Sequence, residues 1–379
     1  MTQTWRIGAA TVTRIEEQLG PGSFPPEQYF SGYEPEVLER HRSWLVPHHY
    51  LPERHALVTS VHSWLIRTPR HTVLLDCCSG NHKDRPWWPR FHQLETPFLE
   101  RLAAAGVAPD QVDIVLCTHL HADHIGWNTR LLDGRWVPTF PNARYLFGRT
   151  EAEWFDPLRH PDSDDPHRRI AWADSVLPVL EAGQAELVDT PHAIDDTLTI
   201  EAAPGHTHGH ILLRLHVPGG EAVFCGDVLH HPIQVSHPEW SAVFCEDRAQ
   251  SAATRRRFVA SQADTGNIVL PAHFPAPTAG RIRSHGDRWR YDFAHSLTNQ
   301  SGFSLQGVVH GQKDALVLHD FFESEFRRDT QPKTFVEANQ AWRNFTLDAL
   351  VQPQLNDFFT TVERLPDVKF TGLRQQIGD

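Results

Sequence analysis

The stretch Thr118-His-Leu-His-Ala-Asp-His-Ile-Gly126 packs His119, His121, Asp123 and His124 together, directly after the apolar run Val112 to Cys117. Neutral imidazole and carboxylate are the nitrogen and oxygen donors that zinc and similar divalent ions accept. Nothing structural requires four such donors side by side. If the chain leaves the strand Asp113 to Cys117 still extended, positions two apart point to the same side, so His119 and His121 grip one ion together. Asp123 and His124 are neighbours and share no direction unless the backbone turns. The Ile125-Gly-Trp-Asn128 that follows reads as the start of a short helix that turns them toward a second ion. The expected cofactors are therefore two divalent metal ions. Zinc is the default from donor type, and manganese, cobalt or iron accept the same set.

A two-metal centre needs donors from distant parts of the chain, and they stand at strand ends. In Ala203-Pro-Gly-His-Thr-His-Gly-His210 a Pro-Gly turn precedes His206, and the apolar alternation Ile211 to Val217 reads as a strand. Glu221-Ala-Val-Phe-Cys-Gly-Asp227 is a short apolar strand ending in Gly and then a carboxylate, from which Asp227 can bridge two ions. Asn267-Ile-Val-Leu-Pro-Ala-His273 repeats the design with a single imidazole.

On these residues the chain resembles the metallo-beta-lactamase superfamily, whose motif is His-X-His-X-Asp-His, then a His in a Pro-Gly-His turn, a bridging Asp and a late His. The resemblance runs over about residues 55 to 290. It implies that His119, His121 and His206 hold the first metal and Asp123, His124 and His273 the second, with Asp227 bridging. It also implies an α/β fold, a four-layer αβ/βα sandwich with the metals at one edge of two packed sheets. Within the superfamily the chain is most similar to the N-acyl homoserine lactonase and organophosphate hydrolase (methyl parathion hydrolase-like) branch. The matching segments are Trp64-Leu-Ile-Arg-Thr68, Leu74-Leu-Asp-Cys-Cys78, Thr118 to Asn128 and Pro271-Ala-His-Phe274.

Departures from the pattern narrow the function. True zinc β-lactamases lack the bridging carboxylate that Asp227 supplies; of the redox-iron branches, one puts a Glu in place of the second His of the motif, which is His121 here, and another leaves the second metal site incomplete, whereas every second-site donor is present here. Quorum-quenching lactonases carry a Tyr three residues after the bridging Asp, where this chain has His230. The expected activity is hydrolysis of a lactone or activated ester through a metal-bridging hydroxide. Phosphotriester hydrolysis is the alternative, and a glyoxalase II-like thioester hydrolase the second. In that chemistry two close Lewis acids lower the pKa of a shared water to about 7. Asp123 is the expected proton shuttle, and His230 the expected hydrogen-bond donor to the developing oxyanion. Asp76, after the strand Thr72 to Leu75, is expected to accept an imidazole N–H rather than bind metal.

Of the 379 residues 40% are hydrophobic and 22% charged, ordinary for a globular protein able to bury a large core. The formal net charge of -12 disfavours nucleic-acid partners. The expected partner is a small ester or lactone. The basic run Arg255-Arg256-Arg257 lies in a helical stretch, Asp247 to Ala263, and reads as a solvated face. Five cysteines, odd in number and set in apolar strands or beside motifs, read as buried free thiols of a reducing compartment. No charged-then-apolar leader opens the chain and no run approaches a membrane span, so a cytoplasmic protein is expected.

Along the chain, Trp5 to Glu16 alternates like one first strand. Gly20 to Pro52 is irregular and aromatic, with Phe24, Tyr29, Phe30, Tyr33, Trp44 and Tyr50, and reads as a cap over the metal cleft or a partner-facing cover. Asn81 to Phe91, with Trp87-Trp88, reads as a wall for an apolar acyl or aryl group, and His92 to Ala105 as a helix ending at Gly106. The superfamily's two halves imply a cryptic duplication near residue 190. A catalytic domain is expected over residues 1–293. An α/β extension is expected over 294–379, used for capping or for a homodimer contact. In it Leu305 to His319 reads as one or two strands, Thr334 to Leu350 as a helix, and Leu355 to Val362 as another.

Overall fold

The computed structural model describes residues 3–160, 166–218, 220–294, 303–308, 335–341, 345–352 and 364–372. The chain divides into two compact units, Met1–Ala294 and His295–Asp379.

In the first unit one sheet runs in the order Gln3–Ile7, Ala10–Pro21, Ala56–Arg67, Thr72–Leu75, Ile114–Cys117, Arg144–Gly148 and Ala185–Val188, with Tyr50–Leu51 paired to Ala56–Arg67. Its last four strands are parallel neighbours. The second sheet runs His192–Ala193, Leu198–Ala202, Ile211–Val217, Gly220–Gly226, Ile268–Pro271, Gly280–His285 and Arg288–Phe293. Here Gly220–Gly226 and Ile268–Pro271 are parallel, with Gly226 opposite Pro271. The chain passes from the first sheet to the second between Val188 and His192, at the junction expected near residue 190.

The strands' period of two builds the layers, because successive side chains face opposite sides of a sheet. Ile114 and Leu116 point between the sheets with Val73, Leu75, Leu213, Phe224 and Leu270. Val115 and Cys117 point the other way, against Phe98 and Leu102 of the helix Phe98–Ala104 and Phe155 of the helix Arg149–Phe155. On the far side Leu212, Val223 and Val269 meet Phe258 and Val259 of the helix Arg248–Gln262. The result is helix, sheet, sheet, helix, the expected four-layer sandwich. Leu116 and Phe224, both with no exposed surface, each contribute about 1.5–3 kcal/mol by full burial.

Several local expectations are corrected. Trp5 to Glu16 is two strands, because Gly8 (φ 60°) and Ala9 turn the chain into an antiparallel hairpin. The helix expected from His92 begins only at Phe98, since Pro97 at its N-cap keeps the preceding residue out of helical conformation. Arg255 is not on a solvated face: it is fully buried, and its guanidinium donates to the carbonyls of Val228, Pro238 and Trp240, whereas Arg256 and Arg257 are exposed. The helix itself runs as expected, capped by the Asp247 side chain on the Gln250 N–H.

In the second unit Phe303–Val308, Phe335–Ala341, Phe345–Gln352 and Arg364–Gly372 form an antiparallel sheet. The helix expected over Thr334 to Leu350 is thus two strands. Phe345, Leu347, Ala349 and Val351 recur at every second position, a strand period that also satisfies part of a helical pattern. The helix expected at Leu355 to Val362 lies outside the described residues, as does the strand expectation beyond Val308.

Candidate metal centre

The donors converge because parallel strands end at one edge. His119 follows Ile114–Cys117, Asp227 follows Gly220–Gly226 and His273 follows Ile268–Pro271, while His206 lies in the turn leading to Ile211–Val217. The Ile211 N–H donates to the Thr118 carbonyl at 2.9 Å, tying the His206 loop to the His119 loop across the two sheets. The expected turn comes slightly earlier than read, as the helical turn Ala122–Ile125, which contains Asp123 and His124 and re-aims them. Gly126 then passes so close to the Ser79 carbonyl that a Cβ would stand 1.8 Å from its oxygen. Only glycine fits there. Gly226, at φ 48°, turns the strand end beneath Asp227, where a Cβ would meet Thr118 and His210 at 2.8 Å.

All seven expected donors come together, in two groups that share Asp227. His206 Nε2 stands 3.1 Å from His119 Nε2 and 2.9 Å from His121 Nδ1. Asp227 Oδ2 is 3.2 Å from His206 Nε2 and 3.7 Å from His119 Nε2. In the other group His124 Nε2 is 3.2 Å from His273 Nε2, and Asp123 Oδ2 is 3.6 Å from His273 Nε2. Asp227 Oδ1 faces this group, 3.1 Å from His273 Nε2, and Oδ2 is 3.5 Å from His124 Nε2.

The spacing and the hydrogen bonds fit metal ions. Two nitrogens on one tetrahedral zinc, each about 2.0–2.1 Å from it, stand about 3.3 Å apart. Outward nitrogens that donate to an acceptor leave the inward nitrogens as acceptors, as for His119 and His273. His119 Nδ1 lies 3.0 Å from Thr118 Oγ1, His206 Nδ1 3.5 Å from Cys245 Sγ, and His273 Nδ1 2.8 Å from the Ser60 carbonyl. Asp76 lies where it was expected, beside an imidazole of the cluster: its Oδ2 stands 3.0 Å from His124 Nδ1, a charge contact rather than an aligned hydrogen bond, and its Oδ1 accepts the Thr118 N–H at 2.7 Å. One carboxylate thereby lies against one imidazole and braces the loop that carries another.

Charge in the cluster points the same way. Burial alone opposes ionisation of Asp227, yet the surrounding imidazoles of His273, His124, His230 and His206 hold it well below the usual carboxylate range. Burial pulls His206 and His124 down, but Asp227 outweighs it, pushing His206 up to about 10 and His124 well above its ordinary value. His119 and His121 go well below theirs through burial and neighbouring imidazoles. Buried donors that demand positive charge among them are suited to a cation.

A sequence profile of the metallo-beta-lactamase superfamily matches residues 56–273, more than half of the chain and the span that carries every donor. The chain belongs to the metallo-beta-lactamase superfamily. A hydroxyacylglutathione hydrolase of Aeromonas hydrophila is 32% identical over 166 residues, 44% of this chain and 45% of the relative. The N-acyl homoserine lactonase AttM of Rhizobium johnstonii is 25% identical over 198 residues, 50% of this chain and 68% of the relative. The chain thus spans under half the length of the first of these relatives and about two thirds of the second. The crystal structure of the hydrolase AbOPH, in the beta lactamase superfamily, shares the fold with a TM-score of 0.65 at 23% identity, covering 78% of this chain and 97% of that one.

In this member of the superfamily the centre opens onto a cavity of about 400 Å³. Asp123 and His121, only partly buried, face it, as do Asp227 and His273. Phe24 and Tyr29 of the aromatic segment and Trp88 and Phe91 of the second insertion wall it; Trp87 is half exposed and takes no part. The expectation that both segments shape a cleft is thus met in position. His230 lines the cavity, its Nε2 3.2 Å from Asp227 Oδ2, and neither ring nitrogen has a hydrogen-bond partner among the described residues. His231 turns away and its Nε2 meets the His49 carbonyl at 2.9 Å.

Sequence reasoning named Tyr29 only as one aromatic of the covering segment, and gave no role in the site to Cys245, His210, Arg90 or Arg168. Tyr29 sits with its ring 6.4 Å from that of His230, and burial with the nearby Asp227 pushes its phenol well above the ordinary value. Cys245, read only as a packing thiol, has its Sγ on His206 Nδ1 and groups with His206 and His230. His210 Nε2 accepts the Asp227 N–H at 3.0 Å and so fixes the backbone that carries this carboxylate. Arg90 and Arg168 bring guanidinium groups to the cavity from segments far apart in sequence. The remaining thiols are buried and unpaired, as expected, and among the described residues no helix is long and apolar enough to cross a membrane.

Proposed function

We propose that the chain is a dinuclear metal-dependent hydrolase that opens a lactone or cleaves an activated carboxylic ester. His119, His121 and His206 would hold one divalent ion, and Asp123, His124 and His273 the other, with Asp227 between them. Bound there, the ions supply Lewis acidity and a nucleophile derived from water at neutral pH. The chain's own residues do the rest. The aromatic walls hold an apolar acyl or aryl group beside the centre and exclude water around it. His230, neutral because burial pulls it down to about 3, offers an N–H to the substrate oxygen on which charge develops. Asp123, partly exposed to the cavity, is the carboxylate placed to pass a proton toward the leaving group.

The observation that carries this reading is the donor arrangement itself: two convergent groups at the cavity wall, with Asp227 in one and 3.1 Å from His273 Nε2 of the other. Thioester hydrolysis is the second reading, favoured by the hydroxyacylglutathione hydrolase relative and by the guanidinium groups at the cavity. A metal-replete hydrolysis screen over lactones, thioesters, carboxylic esters and phosphotriesters tests both, with His121→Ala as control. Turnover of lactones or esters that is lost on chelation and restored by zinc supports the proposal. Turnover confined to thioesters or to phosphotriesters moves the assignment there, and none in any class removes it.

A further inference from the structure

Arg90 lines the same cavity as Asp123, His121 and His230, on the segment that also supplies Trp88. Its guanidinium is held by neutral acceptors only. Nη1 donates to Thr59 Oγ1 at 2.6 Å, Nη2 to the Thr59 carbonyl at 2.9 Å, and Nε to Gln18 Oε1 at 3.3 Å. In return the Gln18 side chain donates to the Arg90 carbonyl at 2.9 Å, so the group is fixed in place before any ligand arrives. A guanidinium has five N–H groups, so two remain for something else. Among the described residues no carboxylate stands within 4.0 Å of it.

The other cavity arginine is different. Arg168 pairs with Glu246 at 3.0 Å and lies over the Phe155 ring, so its charge is already answered. A partly buried cation left without an anion is costly, and it strengthens any charge-assisted bond a ligand brings. Burial lowers the Arg90 pKa, with Asp123 and Tyr29 acting the other way across the cavity. On the proposed reading Asp123 is engaged by a metal ion and can offer Arg90 little.

We infer that Arg90 is an anion-binding subsite of the cavity, and that the substrate class is an ester or lactone whose apolar arm carries a carboxylate-type anion. This rests on the hydrolase reading for the chemistry, and on the placement of Arg90 alone for the anion. The apolar walls take the arm, the metal-side residues take the scissile carbonyl, and the planar fork of Arg90 takes the anion with its two spare N–H groups.

Two matched ester probes of one chain length test it: 4-nitrophenyl hexanoate, which is neutral, and mono-4-nitrophenyl adipate, which ends in a carboxylate. The metal-loaded wild-type protein is expected to prefer the adipate ester in kcat/KM. Arg90→Gln should lower the ratio of adipate to hexanoate about ten-fold or more, with Arg90→Lys intermediate. A wild-type ratio at or below one, or a ratio unchanged in Arg90→Gln, overturns the inference. A separate binding arm uses the non-hydrolysed analogues adipic acid monoanilide and hexananilide, followed by tryptophan fluorescence. If neither ester turns over, the hydrolase reading fails, and the anilides still decide on Arg90. A carboxylate preference that raised ionic strength weakens and Arg90→Gln abolishes supports it, and equal binding of the two anilides by the wild type refutes it.

Discussion

Glu151 is one side chain that serves both halves of the centre. Its Oε1 accepts the Leu120 N–H, between His119 and His121, and its Oε2 accepts the Gly209 N–H, beyond His206, each at 2.9 Å. Glu151→Gln keeps the shape but sets an amide N–H against a backbone N–H in a buried place, a cost of about 1–3 kcal/mol. The expected outcome is a protein that still unfolds cooperatively but binds zinc about 10-fold or more weakly in a chelator competition. Wild-type zinc affinity in a folded variant would contradict the positioning role. The seven donors were legible in the sequence because imidazoles and carboxylates directly after apolar strands are a scarce pattern. Glu151, Arg90 and Cys245 were not, because each acts on partners brought near only by folding; Glu151 lies 58 positions from Gly209. Arg255 failed in the opposite sense. A basic run suggests solvent, but the carbonyls of Val228, Pro238 and Trp240 supply what a buried guanidinium needs.

The element that covers the centre, the aromatic segment before Pro52, is fastened from below. Tyr29, Phe30, Val37, Leu38 and Leu45 pack on Ile233 and Trp240, and His231 meets the His49 carbonyl. His49 stacks on Phe293. Both imidazoles stay neutral: burial pulls His49 down to about 3 and His231 to about 4, against an ordinary value of 6.5. Between those values the unfolded chain binds more protons than the folded one, so stability rises with pH there. The contribution is full above about pH 6.5 and is lost as pH falls toward 4 and then 3. Urea midpoints measured from pH 7.5 to 4.5 are expected to fall steadily below 6.5; a flat profile would contradict the burial of these rings as neutral groups. Element type was read well where one period dominated, as in Ile211–Val217 and Arg248–Gln262. It was misread where two periods fit the same residues, as in Phe345–Gln352, whose pairing with neighbouring strands decides the matter.

At the scale of the molecule, two sheets packed face to face put their parallel strand ends at one edge, and the loops leaving that edge carry every candidate donor. The four-layer architecture was legible only through the family resemblance that the donor order carries; in the structure, strands apolar on both faces, such as Ile114–Cys117, have cover on each side. The sequence did not disclose which insertions meet over the centre, because Phe24, Trp88 and Phe244 touch across more than 200 positions of chain. The central claim is that this edge holds two ions about Asp227. Anomalous scattering from crystals of zinc-loaded protein tests it most directly. Two peaks are expected, one among His119, His121 and His206 and one among Asp123, His124 and His273, with Asp227 touching both and both lost or weakened in Asp227→Asn. A single peak, or none, in fully loaded protein would contradict it.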